Sequence, residues 1–326
     1  LWLEADRLGF LLPALTQEKL DNQKLVVRNE RRQSYENRPY GMAWWWLFDA
    51  LYPEGHPYKI PTIGKHEDID AANLEDVKAF FRQWYLPNNA SISIAGDFDP
   101  DEAKALVSKY FADIPAGPQP SPILEVEPTV LDGETVIRKS DTVPHDKVWI
   151  AWHSPALYQS GDAELDTLSS VLSSGKDSRL YQAIIEDKKM AQDISAYQVS
   201  MLLGSFYVVE ATATEGVNPD ALVAEIDNVI AEVKENGVTD TELELAKINW
   251  EASFFRRLST IGAKADQLNQ YYIHLGDTDY IAKDLARFQG VTSEGVKTAV
   301  NGLNAGRVIL HIGPESEPEP PTMEGK

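Results

Sequence analysis

The sequence contains no cysteine, which excludes disulfide bonds, thiolate metal ligands and cysteine nucleophiles. It also has no uninterrupted apolar run near the roughly 20 residues that a membrane helix needs, so we expect no membrane span. Positive charge is scarce, because 30 Lys and Arg stand against 51 Asp and Glu, a formal net charge of −21. Such an acidic surface repels phosphate backbones, so nucleic acid is not an expected partner.

Common catalytic motifs are missing as well. No two histidines lie four residues apart, so the sequence has neither H-E-x-x-H nor its inverse H-x-x-E-H. It also has no G-x-S-x-G turn, no phosphate-binding P-loop and no dinucleotide fingerprint. The histidines are His56, His66, His145, His153, His274 and His311. Taken alone, the residues indicate a two-domain α+β protein and no particular activity.

The pattern of apolar residues predicts mostly amphipathic helices and a few strands. A long helix is expected from Thr16 through Glu30, interrupted at Pro39-Tyr40-Gly41. The alternating segment Ala90–Gly96 predicts a strand. Residues 116–132 are rich in proline and predict a semi-rigid linker, and residues 316–326 form an acidic, proline-rich tail.

The two halves of the chain repeat each other. Thr16 and Thr239 each open a long helix, and the first helix breaks before Gly41 as the second breaks near Gly262. Glu75-Asp76-Val77-Lys78 leads through a helix to Asn89-Ala90, a strand and Gly96. Glu294-Gly295-Val296-Lys297 leads in the same way to Asn304-Ala305, a strand and Gly313. The ordered matches predict a duplicated α+β domain.

The repeat also predicts that part of the first domain is absent. The second copy has about 106 residues before Thr239, whereas 15 residues precede Thr16, so we expect roughly 90 residues of the first domain to be missing. The expected fold is two homologous α/β-sandwich domains, each with a mixed or antiparallel sheet flanked by helices. Residues 1–115 would be the C-terminal part of the first domain, and residues 133–315 the second. Such a first domain would expose apolar surface and self-associate or be partly disordered.

Several motifs resemble the pitrilysin/insulinase family of zinc peptidases, and most of all its bacterial branch related to mitochondrial processing peptidase. The motifs are Leu20–Gln33, Glu36–Gly41, Gly55-His56-Pro57-Tyr58, Phe80-Phe81 to Pro87-Asn88-Asn89-Ala90, Gly96-Asp97-Phe98 and Gly175–Tyr181. The resemblance implies duplicated α+β domains and a zinc-dependent metalloendopeptidase acting on peptides. It also implies a periplasmic or secreted location.

The family resemblance assigns one metal ligand. Members hold zinc through two His of an H-x-x-E-H helix and a Glu on a later helix, and Glu30 matches that later position. The alternative is that Glu30 is a solvated acid in the charged run Arg28–Arg32. Because no His precedes Glu30, the resemblance places H-x-x-E-H among the absent residues. We therefore expect this chain alone to be inactive, with residues 133–315 as the family's inactive domain.

A partner half is implied by a second departure from the family pattern. Many members carry an Arg and a Tyr in the second domain that bind substrate, and here those positions are Ile185 and Gln192. A second homologous half or subunit is then expected to supply the pair. The alternative function is a non-catalytic subunit that binds peptides or completes the chamber of a separate active protein.

Other candidate residues have weaker support. Gln23 lies seven residues before Glu30, where some relatives have a supporting Glu. His56 and Tyr58 are interpreted as a structural turn or, less favoured, as the lining of a cleft. The cluster Trp44-Trp45-Trp46 is interpreted as core and domain interface rather than as a ligand platform. His145 and His153 are interpreted as surface or satisfied core residues, and Asp162, Asp166, Glu232 and Glu235 as ordinary helix acids.

Overall fold

The computed structural model describes residues 1–119, 126–304 and 306–315. The α-helices are α1 (Trp2–Ala14), α2 (Gln17–Arg31), α3 (Ala43–Leu51), α4 (His66–Ala71), α5 (Leu74–Trp84), α6 (Pro100–Phe111), α7 (Asp162–Ser173), α8 (Pro219–Asn236), α9 (Asp240–Arg257), α10 (Ile261–Leu275), α11 (Ile281–Gln289) and α12 (Ser293–Gly302). Short π-helical turns cover Arg32–Glu36 and Tyr181–Asp187. The predicted tail and residues 120–125 of the predicted linker lie outside the described residues.

Side-chain caps explain where several of these helices begin. The Thr16 hydroxyl accepts a hydrogen bond from the Lys19 amide at 3.3 Å, which starts α2 after the extended residue Leu15. At α9, Thr239 Oγ1 accepts from the Glu242 amide at 3.2 Å, and the Glu242 carboxylate accepts from the Thr239 amide at 2.7 Å. Each bond satisfies a backbone donor that a helix start leaves open.

The strands form one five-stranded mixed sheet in the order β1-β5-β2-β4-β3. They are β1 (Glu134–Asp141), β2 (Lys147–Ser154), β3 (Ala191–Val199), β4 (Ser205–Ala213) and β5 (Arg307–Pro314). β1 runs parallel to β5, whereas β2 pairs antiparallel with both β5 and β4, and β3 pairs antiparallel with β4. The predicted class, helices flanking a mixed sheet, is confirmed for this part of the chain.

Helices cover both faces of this sheet. Val148, Ile150 and Trp152 of β2 enter a core shared with α7, α8 and α12. Trp149 and Ala151, which point to the opposite face, enter a second core built with α3. The strand is therefore apolar at every position from 148 to 152, as expected of a strand that is buried on both sides.

The chain packs as two compact units whose segments alternate along the sequence. Unit 1 comprises the described residues of Leu1–Gln33, Thr62–Glu125 and Ala252–Lys283, and unit 2 those of Ser34–Pro61, Val126–Glu251 and Asp284–Lys326. Unit 2 thus includes α3 from the first half, and unit 1 includes α10 from the second. α3 and α10 occupy equivalent places in the sequence repeat. Each of these helices therefore packs in the unit that is built mainly from the other half of the sequence. The linear boundaries 1–115 and 133–315 stay a prediction about the repeat.

The strand predicted at Ala90–Gly96 is wrong for this structure. Residues 90–95 have no regular secondary structure, and Ile92 and Ile94 are exposed. Within the described part of the chain, no neighbouring strand bonds to this segment. Alternation of apolar and polar residues favours a strand, but a strand forms only where another strand supplies the hydrogen bonds.

The two units differ in how much apolar surface they bury. In unit 1, the buried apolar side chains among the described residues are Ala5, Leu20, Phe254 and Tyr271, whereas unit 2 has two continuous cores. The exposed large apolar side chains of unit 1 include Trp2, Leu3, Phe10, Leu25, Phe80, Ile92 and Phe98. The expectation of exposed apolar surface in the first domain fits this distribution. No helix in the described ranges has both the length and the apolar composition for crossing a membrane.

Candidate functional site

Glu30 lies in the last turn of α2 with its side chain exposed. Basic side chains of α2 bond to other residues of unit 1. Arg28 forms an ion pair with Asp70 at 3.0 Å, and the Lys24 ammonium donates to the Asp70 carbonyl at 3.0 Å. Arg31, which is buried, donates to the carbonyl of Gly64. The backbone that carries Glu30 is therefore fixed, while its carboxylate faces outward.

The described residues do not by themselves fit a zinc ion. A protein zinc site needs at least three protein ligands close together, usually His, Cys, Asp or Glu. Among the residues that the structure describes, no three such side chains converge, and this includes the surroundings of Glu30. No step of metal chemistry can be derived from these residues alone.

The two positions that correspond to the substrate-binding Arg and Tyr have structural contacts. Ile185 packs against the core of unit 2. The Gln192 amide donates to the Ala213 carbonyl at 3.2 Å, across the β3–β4 pair. Neither side chain offers the charge or the phenol that binding near a scissile bond would use, so these positions continue to depart from the family pattern.

The Gly175–Tyr181 motif links two segments of unit 2 through the hydrogen bonds of Arg179. Its guanidinium forms two hydrogen bonds of 2.7 Å with the Glu242 carboxylate and donates to the Gly237 carbonyl at 3.1 Å. The bonds from Arg179 lower the pKa of Glu242 to about 2, with further hydrogen bonds from Thr239. The motif therefore joins the π-helical turn after residue 180 to the start of α9.

His56 and Tyr58 belong to a buried aromatic cluster rather than to a cleft. The His56 ring stacks on Tyr52 at 4.5 Å between ring centroids, and its Nδ1 accepts from the Tyr58 amide at 3.0 Å. On the sheet side, His153 lies against Tyr52 and forms a 2.8 Å bond between its Nε2 and the Leu51 carbonyl. Tyr52 donates to the Gly204 carbonyl at 3.2 Å. The structural interpretation is the correct one, because these bonds hold the end of α3 on the sheet.

This cluster predicts a loss of stability in mild acid. Burial lowers the pKa of His56 and of His153 below the ordinary value of 6.5. The unfolded chain therefore binds more protons than the folded one below pH 6.5, so the free energy of unfolding falls as the pH drops from 6.5 toward the folded-state pKa values. Urea unfolding at pH 8.0 and pH 5.5 measures the difference. His56→Phe, which keeps the stacking, should reduce this pH dependence, and an unchanged pH dependence would contradict the role given to His56.

Asp162 is not an ordinary helix acid, because its side chain is completely buried at the start of α7. Its Oδ1 accepts from Ser200 at 2.9 Å and from the Gln198 amide, and its Oδ2 accepts from the Tyr158 amide at 3.0 Å and from Arg287. Arg287 also bonds to Asp284 at 3.0 Å. This network joins α7, β3 and α11. The sequence signalled only a helix start, since Arg287 lies 125 residues further along the chain.

Two residues of the tryptophan cluster, Trp44 and Trp46, pack against the second core of unit 2, in line with the sequence interpretation. Trp44 lies 5.7 Å from Phe206 of β4 between ring centroids, and Trp46 packs against the same core. The indole of Trp46 is also covered by the Lys139 ammonium at 5.4 Å. These contacts hold the half-buried Trp44 and Trp46 against the core of unit 2.

Comparison with known proteins gives the family. Residues 71–249 match the sequence profile described as the peptidase M16 inactive domain. A zinc protease of Helicobacter pylori, PqqE, is 30% identical over 285 residues, which cover 85% of this chain and 63% of that protein. The chain thus spans less than two thirds of that relative's length.

Two crystal structures share the fold. A protease from Helicobacter pylori has a TM-score of 0.84 at 23% identity, covering 92% of this chain and 73% of that one. A peptidase M16 inactive domain from Pseudomonas fluorescens has a TM-score of 0.83 at 20% identity, covering 97% and 74%. The profile match, which covers more than half of the sequence, shows that the chain belongs to peptidase family M16, the pitrilysin family of zinc proteases.

Proposed function

We propose that this chain is one part of a zinc-dependent metalloendopeptidase and that Glu30 supplies one of its metal ligands. The other ligands would come from an H-x-x-E-H helix that lies outside this sequence. The observation that carries the proposal is the placement of Glu30, an exposed carboxylate on a helix whose backbone is anchored by Arg28 and Arg31. Fixed backbone with an outward carboxylate is what a ligand to a shared metal site requires.

Substitution of Glu30 tests the assignment. In the complete protein, assembled with its H-x-x-E-H helix, Glu30→Gln should remove a charged ligand while keeping the size of the side chain. We expect bound zinc to fall at least tenfold and peptide cleavage at least a hundredfold. Glu18→Gln is the matched control, because Glu18 is also exposed on α2. Zinc content and activity that stay at wild-type levels in Glu30→Gln would overturn the assignment.

The second candidate is a non-catalytic subunit that binds peptides or completes the chamber of another family member. Two observations favour it: the described residues gather no metal cluster, and Ile185 and Gln192 make structural contacts where substrate-binding residues are expected. The sequence of the complete gene product separates the two candidates. An H-x-x-E-H motif upstream of Glu30 supports the enzyme, and its absence supports the subunit.

The proposed partners are a peptide substrate and a second homologous half that supplies the Arg and Tyr missing at positions 185 and 192. The net charge of −21 would favour peptides that carry positive charge. The resemblance also leads us to propose a periplasmic or secreted location, which fractionation of the source cells would test.

A further inference from the structure

We propose that a cleft in unit 2, between the start of α7 and the side of α12, binds an alkylammonium group of a peptide. The peptide would carry this group on a lysine side chain or at its amino terminus. The inference deepens the proposed function by naming a class of substrate, and it rests on that function only in taking a peptide as the ligand. It uses neither Glu30 nor a metal ion.

The cleft lies where the end of β2 meets α7 and α12. Its volume is about 570 Å³, which is within the usual range of small-ligand sites. The lining residues used in the argument are Ser154, Pro155, Glu164, Glu294, Ala299 and Leu303. All of the described lining residues belong to unit 2, so the cleft is formed within one packed unit.

Gly295 allows the two helices to approach closely at this cleft. A Cβ atom at position 295 would lie 3.4 Å from Cγ of Glu164 and 3.2 Å from Oγ1 of Thr292. The Thr292 hydroxyl accepts a hydrogen bond from the Gly295 amide at 3.0 Å, and the Glu164 carboxylate accepts one from the Gly161 amide at 3.0 Å. The first turns of α7 and α12 are therefore capped, and each contributes a carboxylate to the same cleft.

The charge of the cleft is negative. Glu164 is half-buried and Glu294 is exposed, and no Lys or Arg lines the cleft within the described ranges. The ring of His153 also lies there, and its Nε2 is bonded to the Leu51 carbonyl. Burial lowers the pKa of His153, so this ring is neutral at pH 7. Two carboxylates without a cation beside them favour a positively charged ligand and disfavour an anion at the helix starts.

Ser154 adds a hydroxyl that lacks a hydrogen-bond partner among the described residues. Its Oγ is buried at the end of β2. A buried polar group without a hydrogen bond destabilises a protein unless a ligand or a water satisfies it. An ammonium group is compact and carries three donors, whereas a guanidinium is a wide planar fork. One hydroxyl and two carboxylates suit the three donors of an ammonium.

The rest of the lining suits methylene groups. Pro155, Ala299 and Leu303 supply apolar surface beside the acids. A lysine side chain packs its stem along such a surface and keeps its charged end among polar groups. Among the described residues, no three acidic or histidine side chains converge as a metal site would require. The lining therefore fits an organic amine better than a metal ion.

An NMR titration of the 326-residue chain with n-pentylamine, a mimic of the lysine side chain, tests the proposal. We expect saturable shifts of the Gly161 and Gly295 amides with a dissociation constant of about 1 mM, which is reasonable for so small a ligand. The uncharged n-pentanol should bind about tenfold more weakly, and inorganic phosphate should not shift these amides. Chelator is present throughout, so that zinc has no influence on the result.

A matched pair of variants separates the cleft from the general negative charge of the chain. Glu294→Gln should weaken pentylamine binding by about threefold or more, since it removes one exposed carboxylate of the cleft. Glu244→Gln is the control, because Glu244 is exposed on α9 in unit 2 and lies outside the cleft. Thr298→Arg, one turn after Glu294, should abolish binding by placing a cation beside that carboxylate. Equal effects of Glu294→Gln and Glu244→Gln would overturn the proposal.

Two peptides distinguish the source of the ammonium group. One is an acetylated pentapeptide amide with lysine at its centre, and the other is pentaglycine amide with a free amino terminus. Binding of either peptide that is lost in Thr298→Arg supports the proposal and identifies the source. Binding of neither peptide, equal binding of pentanol and pentylamine, or binding of phosphate overturns it. Failure of amine binding while the complete protein cleaves peptides overturns this inference alone, whereas full activity in Glu30→Gln overturns only the zinc ligand.

Discussion

Asp162→Asn is expected to lower the free energy of unfolding of unit 2 by about 3 kcal/mol, since breaking a buried ion pair typically costs about 3–5 kcal/mol. The side chain is 0% exposed, and its carboxylate accepts four hydrogen bonds, one of them from Arg287. Asparagine keeps the shape but offers one acceptor oxygen and no charge. Arg287 would then keep only Asp284 as its carboxylate partner in the network described for Asp162.

Urea unfolding followed by tryptophan fluorescence measures this effect, because Trp149 and Trp152 are buried in unit 2. Glu4→Gln is the control, since the ion pair between Glu4 and Arg7 is exposed on α1. That substitution should change the free energy of unfolding by about 0.5 kcal/mol or less. Equal effects of the two substitutions would show that the Asp162 network does not hold α7, β3 and α11 together.

Leu47→Ala is expected to destabilise unit 2 by about 2–5 kcal/mol, the usual range for truncating a buried leucine. Leu47 is 0% exposed and lies in the core formed by α3 with Trp149, Phe206 and Leu310. The substitution would destabilise a core formed mainly by the second half of the chain, although Leu47 belongs to the first half. It therefore tests the packing of α3 in unit 2.

Leu25→Ala is the matched control for Leu47→Ala. It is the same substitution in the same half of the chain, but Leu25 is 57% exposed on α2. We expect it to change the free energy of unfolding by about 0.5 kcal/mol or less. A small effect of Leu47→Ala on the unfolding of unit 2 would mean that α3 does not stabilise the sheet as its packing indicates.

The start of α9 could be predicted from the sequence, because its signal lies within a few residues of Thr239. Strand β2 shows a continuous apolar run, and Thr239 with Glu242 marks the start of α9 within four residues. The segment Ala90–Gly96 has an equally clear alternation but no pairing strand among the described residues. Strand formation depends on a distant partner, which a local pattern does not report.

The candidate site could be predicted only in part, because local sequence patterns do not report which distant residues the fold brings together. Nothing in the residues around Glu30 distinguishes a metal ligand from a solvated acid, so its assignment depended on the family resemblance. Asp162 had the sequence signature of a helix start, and its partner Arg287 is brought to it by the fold. The packing of α3 in unit 2 and of α10 in unit 1 could not be predicted either. A sequence repeat shows which segments are equivalent but not which of them pack together.

Zinc bound per chain, measured by elemental analysis after dialysis against trace zinc, tests most directly whether the metal site needs ligands from outside this sequence. For the 326-residue chain alone, we expect far less than one zinc per chain. With the H-x-x-E-H segment present, we expect about one zinc per chain, falling at least tenfold in Glu30→Gln. A value near one for the chain alone would contradict the account, because the ligands would then all lie within this sequence.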